Sequence, residues 1–371
     1  MKKIITVFIV WRVLITFAMV LGLMLPVKTM FLGGGAEKYF DNPLLYAWAN
    51  FDGVHYWSIA YVGYRQFEQA FFPLYPLLIN LISGFVGINS VLVGIIISNA
   101  CIFVAIIFLY KLVKIDFKEK IAFWTIIFLL VVPTSFYFGS VYTESLFFVL
   151  SVASFYFARK QNWFLAGICG MFASATRIVG ILLFPALILE YWLSYKHNKK
   201  NLLYKIKWLS LALIPCGLLV YMYWLNKNYQ DPFYFFHAQS AFGAGRSGGS
   251  FILFPQVVFR YVKILTTLSF GYQYVISSIE LILSLSSFVL IFLGRNKLRI
   301  SYILYAFLLL VTPTLTGTFL SMPRFIVTVF PLFILLAIII KNDNFKKIIA
   351  VGMALLLIIA TMFYTRGYWI A

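Results

Sequence analysis

Apolar runs approaching 20 residues recur along the chain, at about 4–25, 89–110, 120–138, 141–158, 163–176, 178–194, 208–226, 274–293, 300–319, 325–340 and 347–364. A helix of roughly 20 residues crosses about 30 Å of hydrocarbon while satisfying every backbone N–H and C=O within itself. This feature confines the 371 residues to an all-α polytopic membrane protein, a bundle of about eleven transmembrane helices. Charged residues make up 11% of the chain, against about a quarter in soluble domains. A soluble chain this long divides into two or three domains, whereas a helical bundle uses residues 1–371 as one.

The formal charge of +19 raises the question of nucleic acid, and its distribution answers it. The short segments 111–120, 159–162, 195–207, 294–299 and 341–347, with Lys2 and Lys3, hold 19 of the 30 Lys and Arg residues. Basic loops between apolar runs mark the cytoplasmic side of a membrane protein, while a nucleic-acid surface needs a folded soluble face that this chain lacks. With the N-terminus cytoplasmic, alternation of the spans puts all these loops inside and the C-terminus outside. The opening "MKKIITVFIVWRVLITFAMVLGLML" begins like a signal peptide, but its apolar run exceeds an h-region and no A-x-A-like site follows; it reads as a retained first span. Cys101, Cys169 and Cys216 lie inside apolar runs without C-x-x-C spacing and read as small core residues.

One segment resists the count. "AFFPLYPLLINLISGFVG" (70–87) is apolar enough to span, yet a full crossing there would move the basic segment 111–120 to the outside. It reads instead as a juxtamembrane or re-entrant helix on the outer side, with Pro73 and Pro76 in or just before its first turn. Two outer loops are then long, 26–88 and 227–273, where bundle connections usually take a few residues and long ones tend to carry function. The second contains "GAGRSGG" (243–249), expected to be mobile without a ligand. The two halves differ in loop length and motif content, so no internal repeat of the transporter kind is visible.

Four clusters fall on that outer side. In "FDGVHYWSIAYVGY" (51–64), Asp52, His55 and Tyr56 are spaced i, i+3 and i+4 and share one face of a helix. A carboxylate there can act as a general base, or simply cap a short interfacial helix flanked by belt aromatics. "FFPLYP" (71–76) is either a rigid interfacial turn or one wall of a groove for a sugar ring or lipid tail. In "PTSFYFGSVYTESLFF" (133–148), Glu144 opens an apolar span with Thr143 beside it, as a favourable charge on the helix dipole or as a functional intramembrane carboxylate. Arg177 in "SATRIVG" and Arg324 in "SMPRF" each sit at an outer turn, able to hold a lipid phosphate through two parallel hydrogen bonds or to snorkel to the interface. His55, His197 and His237 are not spaced as metal ligands, and no phosphate loop, nucleotide fingerprint or Ser-His-Asp order appears; no metal or cofactor is expected.

Taken in order, "WR" (11–12), "FDGVHYWSIAYVGY", "AFFPLYPLLI", "PTSFYFGSVYTESLFF", "AGICGMFASATRIVGILLFP" and "MPRFIVTVFPLF" resemble the PIG-V-like mannosyltransferases, members of the GT-C polytopic glycosyltransferases. The resemblance is dense from residue 11 to about 190, then thins until the "PRF" segment, and the loop after 227 matches nothing in it. It implies a GT-C-type bundle with juxtamembrane helices in the first outer loop. It also implies inverting transfer of a sugar, typically mannose, from a polyprenyl-phosphate donor to a hydroxyl of a lipid or glycan acceptor on the non-cytoplasmic face. Asp52 stands where such enzymes carry their catalytic base. On that reading Arg324, Arg177 and His55 contact the donor phosphate, and Glu144, Tyr75, Tyr56 and Thr143 contact sugar or acceptor. The compact length and short basic loops suggest a prokaryotic plasma-membrane member.

Inverting chemistry fits these residue types by itself: one base takes the acceptor proton while cations stabilise the departing phosphate. A retaining route would need a second carboxylate as nucleophile, a place Glu144 could fill. The alternatives are another GT-C transferase with a different sugar or a protein or cell-wall acceptor, and a transporter or flippase for a polyprenyl-linked glycan. A transporter would concentrate ionisable residues near the midplane, whereas the acids noted here gather at one face.

Overall fold

The computed structural model describes residues 2–195, 202–242, 246–247 and 251–370; His197, and the part of "GAGRSGG" expected to be mobile at 243–245 and 248–249, lie outside the described residues. Among those described, the chain is helical and contains no strand. The first apolar run forms α1 (Lys2–Gly22). The first long loop then folds into four helices, α2 (Ala36–Asp41), α3 (Pro43–Tyr46), α4 (Asp52–Val62) and α5 (Leu74–Val86). Next come α6 (Ser90–Asp116), α7 (Glu119–Val131), α8 (Glu144–Arg159), α9 (Trp163–Thr176), α10 (Leu183–Tyr195) and α11 (Leu213–Tyr229). The second long loop carries α12 (Tyr234–His237) and α13 (Phe254–Thr267), and the chain finishes with α14 (Tyr272–Gly294), α15 (Ile300–Thr314), α16 (Met322–Ile326), α17 (Phe330–Ile339) and α18 (Asp343–Thr365). Among the described residues, six helical stretches are long and apolar enough to cross a membrane, and four further apolar helices are shorter. This is an integral membrane protein.

Local chemistry sets several boundaries. The side-chain oxygen of Asn89 accepts from the N–H groups of Val91 and Leu92 at the start of α6, and Asn162 and Asn342 cap α9 and α18 in the same way. In α5, Pro73 is the N-cap, Pro76 lies in the first turn, and Gly87 ends the helix at φ 72°. Its 13 residues extend only about 20 Å at 1.5 Å per residue, short of a bilayer crossing.

In the bundle, α8 lies between α6 and α9, α9 packs on α11, α18 returns along α1, and α7 pairs with α17. The α9–α11 crossing depends on small residues: a Cβ at Gly217 would lie 2.0 Å from the Met171 carbonyl oxygen. At one end of the bundle the charged loops knit together. Arg159 pairs with Asp116 and reaches Glu190, which also takes Arg299 and the Ser301 hydroxyl, while Lys120 pairs with Asp343. Glu190 lies within the apolar run 178–194, and its full burial is compensated by these two guanidinium groups.

At the opposite end, the runs 120–138 and 141–158 do not form two continuous spans. Helix α7 stops at Val131, before Pro133, and the chain re-enters the bundle as an irregular, buried segment with a 3-10 turn at Ser135–Gly139 before α8 begins at Glu144. Its polar groups find tertiary partners. The Thr134 hydroxyl donates to the Pro323 carbonyl at 2.7 Å, Ser145 to the Phe138 carbonyl at 2.6 Å, and the Val141 N–H to the Trp48 carbonyl at 2.9 Å. A buried irregular segment needs partners of this kind for its backbone and hydroxyl groups.

Candidate active site

The re-entrant segment, the first long loop and the turn before α17 converge at this end. Asn50 anchors the first loop: its side chain accepts from the Gly33 N–H and donates to the Tyr364 carbonyl, both at 2.9 Å, while its carbonyl receives the Tyr142 hydroxyl at 2.8 Å. Phe51 then adopts φ 56°, an uncommon conformation for a non-glycine residue, held by ring contacts with Tyr364 and Trp369. The turn it makes starts α4 and places Asp52 in the first helical turn. Ser321, at φ 68°, makes the corresponding turn into α16 and presents Arg324. Two positive-φ residues thus flank the two charges that meet.

Arg324 donates through one Nη to Asp52 Oδ2 at 2.5 Å, and its Nε lies 3.4 Å from Glu144 Oε1. The same Glu144 oxygen accepts from Arg177 at 2.6 Å. Arg177 also approaches the Thr143 hydroxyl at 3.4 Å, and Tyr56 meets that hydroxyl at 3.2 Å. The result is a chain of alternating charge, Asp52–Arg324–Glu144–Arg177, ending in the hydroxyls of Thr143 and Tyr56. Rings of Phe325, Tyr142 and Tyr137 lie 5.2–5.7 Å from the Arg324 guanidinium. Burial opposes a charge on Asp52, yet the charge and hydrogen bond of Arg324, with the nearby His55, hold its pKa below the ordinary 3.8. Its Oδ1 takes no hydrogen bond from any described residue.

This cluster opens into a cavity of about 630 Å³. Asp52, Tyr56, Arg177 and Arg324 line it, and so do residues of the second long loop, including His237, Gln239, Phe242 and Arg246. Another stretch of its wall is apolar, with Ile178, Val179, Leu218, Met222 and Leu309. The other sequence-derived candidates lie outside that lining. Thr143 and Glu144 are fully buried behind the arginines. Tyr75 is buried with its hydroxyl on the Gly94 carbonyl (3.0 Å) and Ser98 (2.8 Å), and its ring stands edge-on to Tyr56. His55 turns toward Glu68, with Nδ1 3.1 Å from Oε1, and stacks on Phe71.

Three contributors were not singled out from sequence. Trp369, four residues beyond α18, lines the cavity beside Phe51 with its indole N–H buried and unpartnered. Glu280, inside the apolar run 274–293, accepts from the Tyr261 hydroxyl of α13 at 2.7 Å and the Ser321 N–H at 3.3 Å, bracing the turn that presents Arg324. Arg246 is the lone charge in an otherwise small-residue stretch, which was its only signal. Burial and the like charge of Arg324 press its pKa below the ordinary value, against the pull of Asp52 and Glu280.

Among the described residues, the site is thus a buried acid–arginine chain at one end of an all-helical membrane bundle. In keeping with this, the chain is similar in fold to ArnT from Cupriavidus metallidurans. The apo structure aligns with a TM-score of 0.54 at 15% identity, over 95% of this chain and 62% of that one. The structure bound to undecaprenyl phosphate gives 0.50 at 13%, over 98% and 76%. More particularly, residues 3–244 match the model of the mannosyltransferase (PIG-V) family, and the chain belongs to that family. Similar curated proteins include GPI mannosyltransferase 2 of Cryptococcus neoformans, 32% identical over 142 residues covering 35% of this chain and 33% of that protein. The Schizosaccharomyces pombe protein of the same name is 33% identical over 135 residues, 34% of this chain and 29% of its own. The matched stretches thus span about a third of these relatives.

Proposed function

We propose that the protein is an inverting membrane glycosyltransferase that moves a sugar, mannose by family, from a polyprenyl-phosphate donor to a hydroxyl of a lipid or glycan acceptor. The reaction is placed at the non-cytoplasmic face of a prokaryotic plasma membrane. The observation that carries this reading is Asp52, kept ionised by Arg324 on the wall of a cavity that is cationic on one side and apolar on another. Family membership and the undecaprenyl phosphate bound to ArnT support the same donor class.

In this reading Asp52 Oδ1 takes the proton of the acceptor hydroxyl as its oxygen bonds to the anomeric carbon. The bond from that carbon to the phosphate oxygen breaks, and its electron pair leaves with the polyprenyl phosphate. Arg324 and Arg177 face the charge that develops on the phosphate. Tyr56 and Trp369 line the space beside Asp52, offering flat faces and an unpartnered indole N–H to a sugar ring. Glu144 and Thr143 act one layer back by fixing both arginines, Tyr75 buttresses Tyr56, and His55 braces α4 against Glu68. The apolar wall takes the start of the polyprenyl tail. The test is incubation of purified protein with a panel of polyprenyl-phosphate sugars and membrane lipid extract, followed by mass spectrometry. A hexose gained by an acceptor only in the presence of a polyprenyl-phosphate hexose supports the reading, and gain from a nucleotide sugar alone overturns it.

A further inference from the structure

We propose that Arg246, in the second long loop, is the principal ligand of the donor phosphate; this rests on the polyprenyl-phosphate reading above. Arg177 is already paired with Glu144, and Arg324 with both Asp52 and Glu144. Much of their donor capacity therefore holds the site together. Arg246 lines the same cavity, yet no carboxylate among the described residues, which include all 11 acids of the chain, lies within 4.0 Å of it.

Its hydrogen bonds are as incomplete as its charge. The Nε is buried with no partner, and one Nη donates to the neutral Gln239 Oε1 at 3.0 Å. A guanidinium in such surroundings is costly unless something negative and rich in acceptors arrives to pair with it. A phosphate monoester or diester has that chemistry: a planar fork meets two of its oxygens at once. The charged groups around Arg246 are Arg324, Asp52 and Glu280. Glu280 is engaged by Tyr261 and Ser321, and Asp52 by Arg324, so neither answers Arg246 directly.

The position also suits the reaction. As the anomeric carbon–oxygen bond breaks, the phosphate gains a negative charge, and a donor within the cavity strengthens its hold just then. Arg324 is left to keep the base ionised. The family match ends at residue 244, so Arg246 lies just beyond it, while His237, Gln239 and Phe242 of the same loop lie within it.

The experiment titrates wild type, Arg246→Gln and Arg246→Lys in detergent with undecaprenyl phosphate, and in parallel with the neutral alcohol undecaprenol. Intrinsic fluorescence reports binding, and a thermal melt of each ligand-free protein reports stability. Wild type is expected to prefer the phosphate. Arg246→Gln should bind it about 10–100-fold more weakly, the loss of one charge-assisted contact, with undecaprenol affinity unchanged and a ligand-free melting temperature no lower than wild type. Arg246→Lys should fall between. Undiminished phosphate preference in Arg246→Gln overturns this assignment alone, and equal loss of both ligands with a lowered melting temperature makes the residue structural. Wild type binding both lipids alike removes the donor reading and this assignment with it.

Discussion

Replacing Arg324 by Gln tests whether the arginine sets the charge state of Asp52. The side chain is 8% exposed and its Nη lies 2.5 Å from Asp52 Oδ2. Two unit charges about 4 Å apart at an effective dielectric near 20 interact by about 4 kcal/mol. Solvent reaching the Asp52 side chain, 24% exposed, reduces this. Without Arg324, burial acts on Asp52 unopposed, so its pKa rises. The wild-type rate should then stay flat on the acid side to below the ordinary Asp range, whereas the acid limb of the variant moves up above that range. Stability follows the same sign. Because the folded-state pKa is depressed, the pair stabilises the protein above the unfolded-state pKa, and the contribution fades as pH falls through the folded value. The melting-temperature gap between the two proteins should therefore narrow at low pH, from a difference at neutral pH equivalent to about 3–5 kcal/mol for a broken buried pair. The assay is the pH–rate profile of sugar transfer, with thermal melts in the same buffers. An acid limb at the same pH in both proteins would refute the role given to Arg324.

Two further outcomes are expected. Gly217→Ala forces a methyl group to within 2.0 Å of the Met171 carbonyl oxygen and should lower stability by about 1–3 kcal/mol or more, read as a lower melting temperature in detergent; an unchanged melt would mean the α9–α11 crossing yields easily. A protease-cleavable tag after Ala371 should be cut from outside intact cells, as the basic loops require, and protection there would invert the topology.

The bundle was legible in the sequence because hydrocarbon permits so few solutions. Apolar runs, Asn caps and the prolines of α5 each carry their structural meaning locally. The re-entrant segment was not legible as such: its apolarity matches that of a span, and its departure from helix rests on partners as distant as Trp48 and Pro323, although Pro133 marks the break. Asp52, Arg177, Arg324 and Glu144 stood out as rare charges beside apolar runs, and the structure brings them into one chain. Which of them face the cavity depends on tertiary pairing, so Glu144 and Thr143 lie behind the arginines. Helix α13 went unread although its buried residues, Val257 and Tyr261, share one helical face four residues apart. Trp369 and Arg246 reach the site from segments distant in sequence, and no local pattern announces that.

The most direct measurement follows polyprenyl-phosphate mannose in liposomes containing either wild type or Asp52→Asn, with acceptor lipids present, and quantifies released polyprenyl phosphate together with the anomeric configuration of the product. Asn keeps the shape of Asp52 but cannot take the proton. Wild type is expected to release polyprenyl phosphate and form a product of inverted configuration, and the folded variant to release essentially none. Equal release by the variant, or a product of retained configuration, would contradict Asp52 as the base of an inverting transfer.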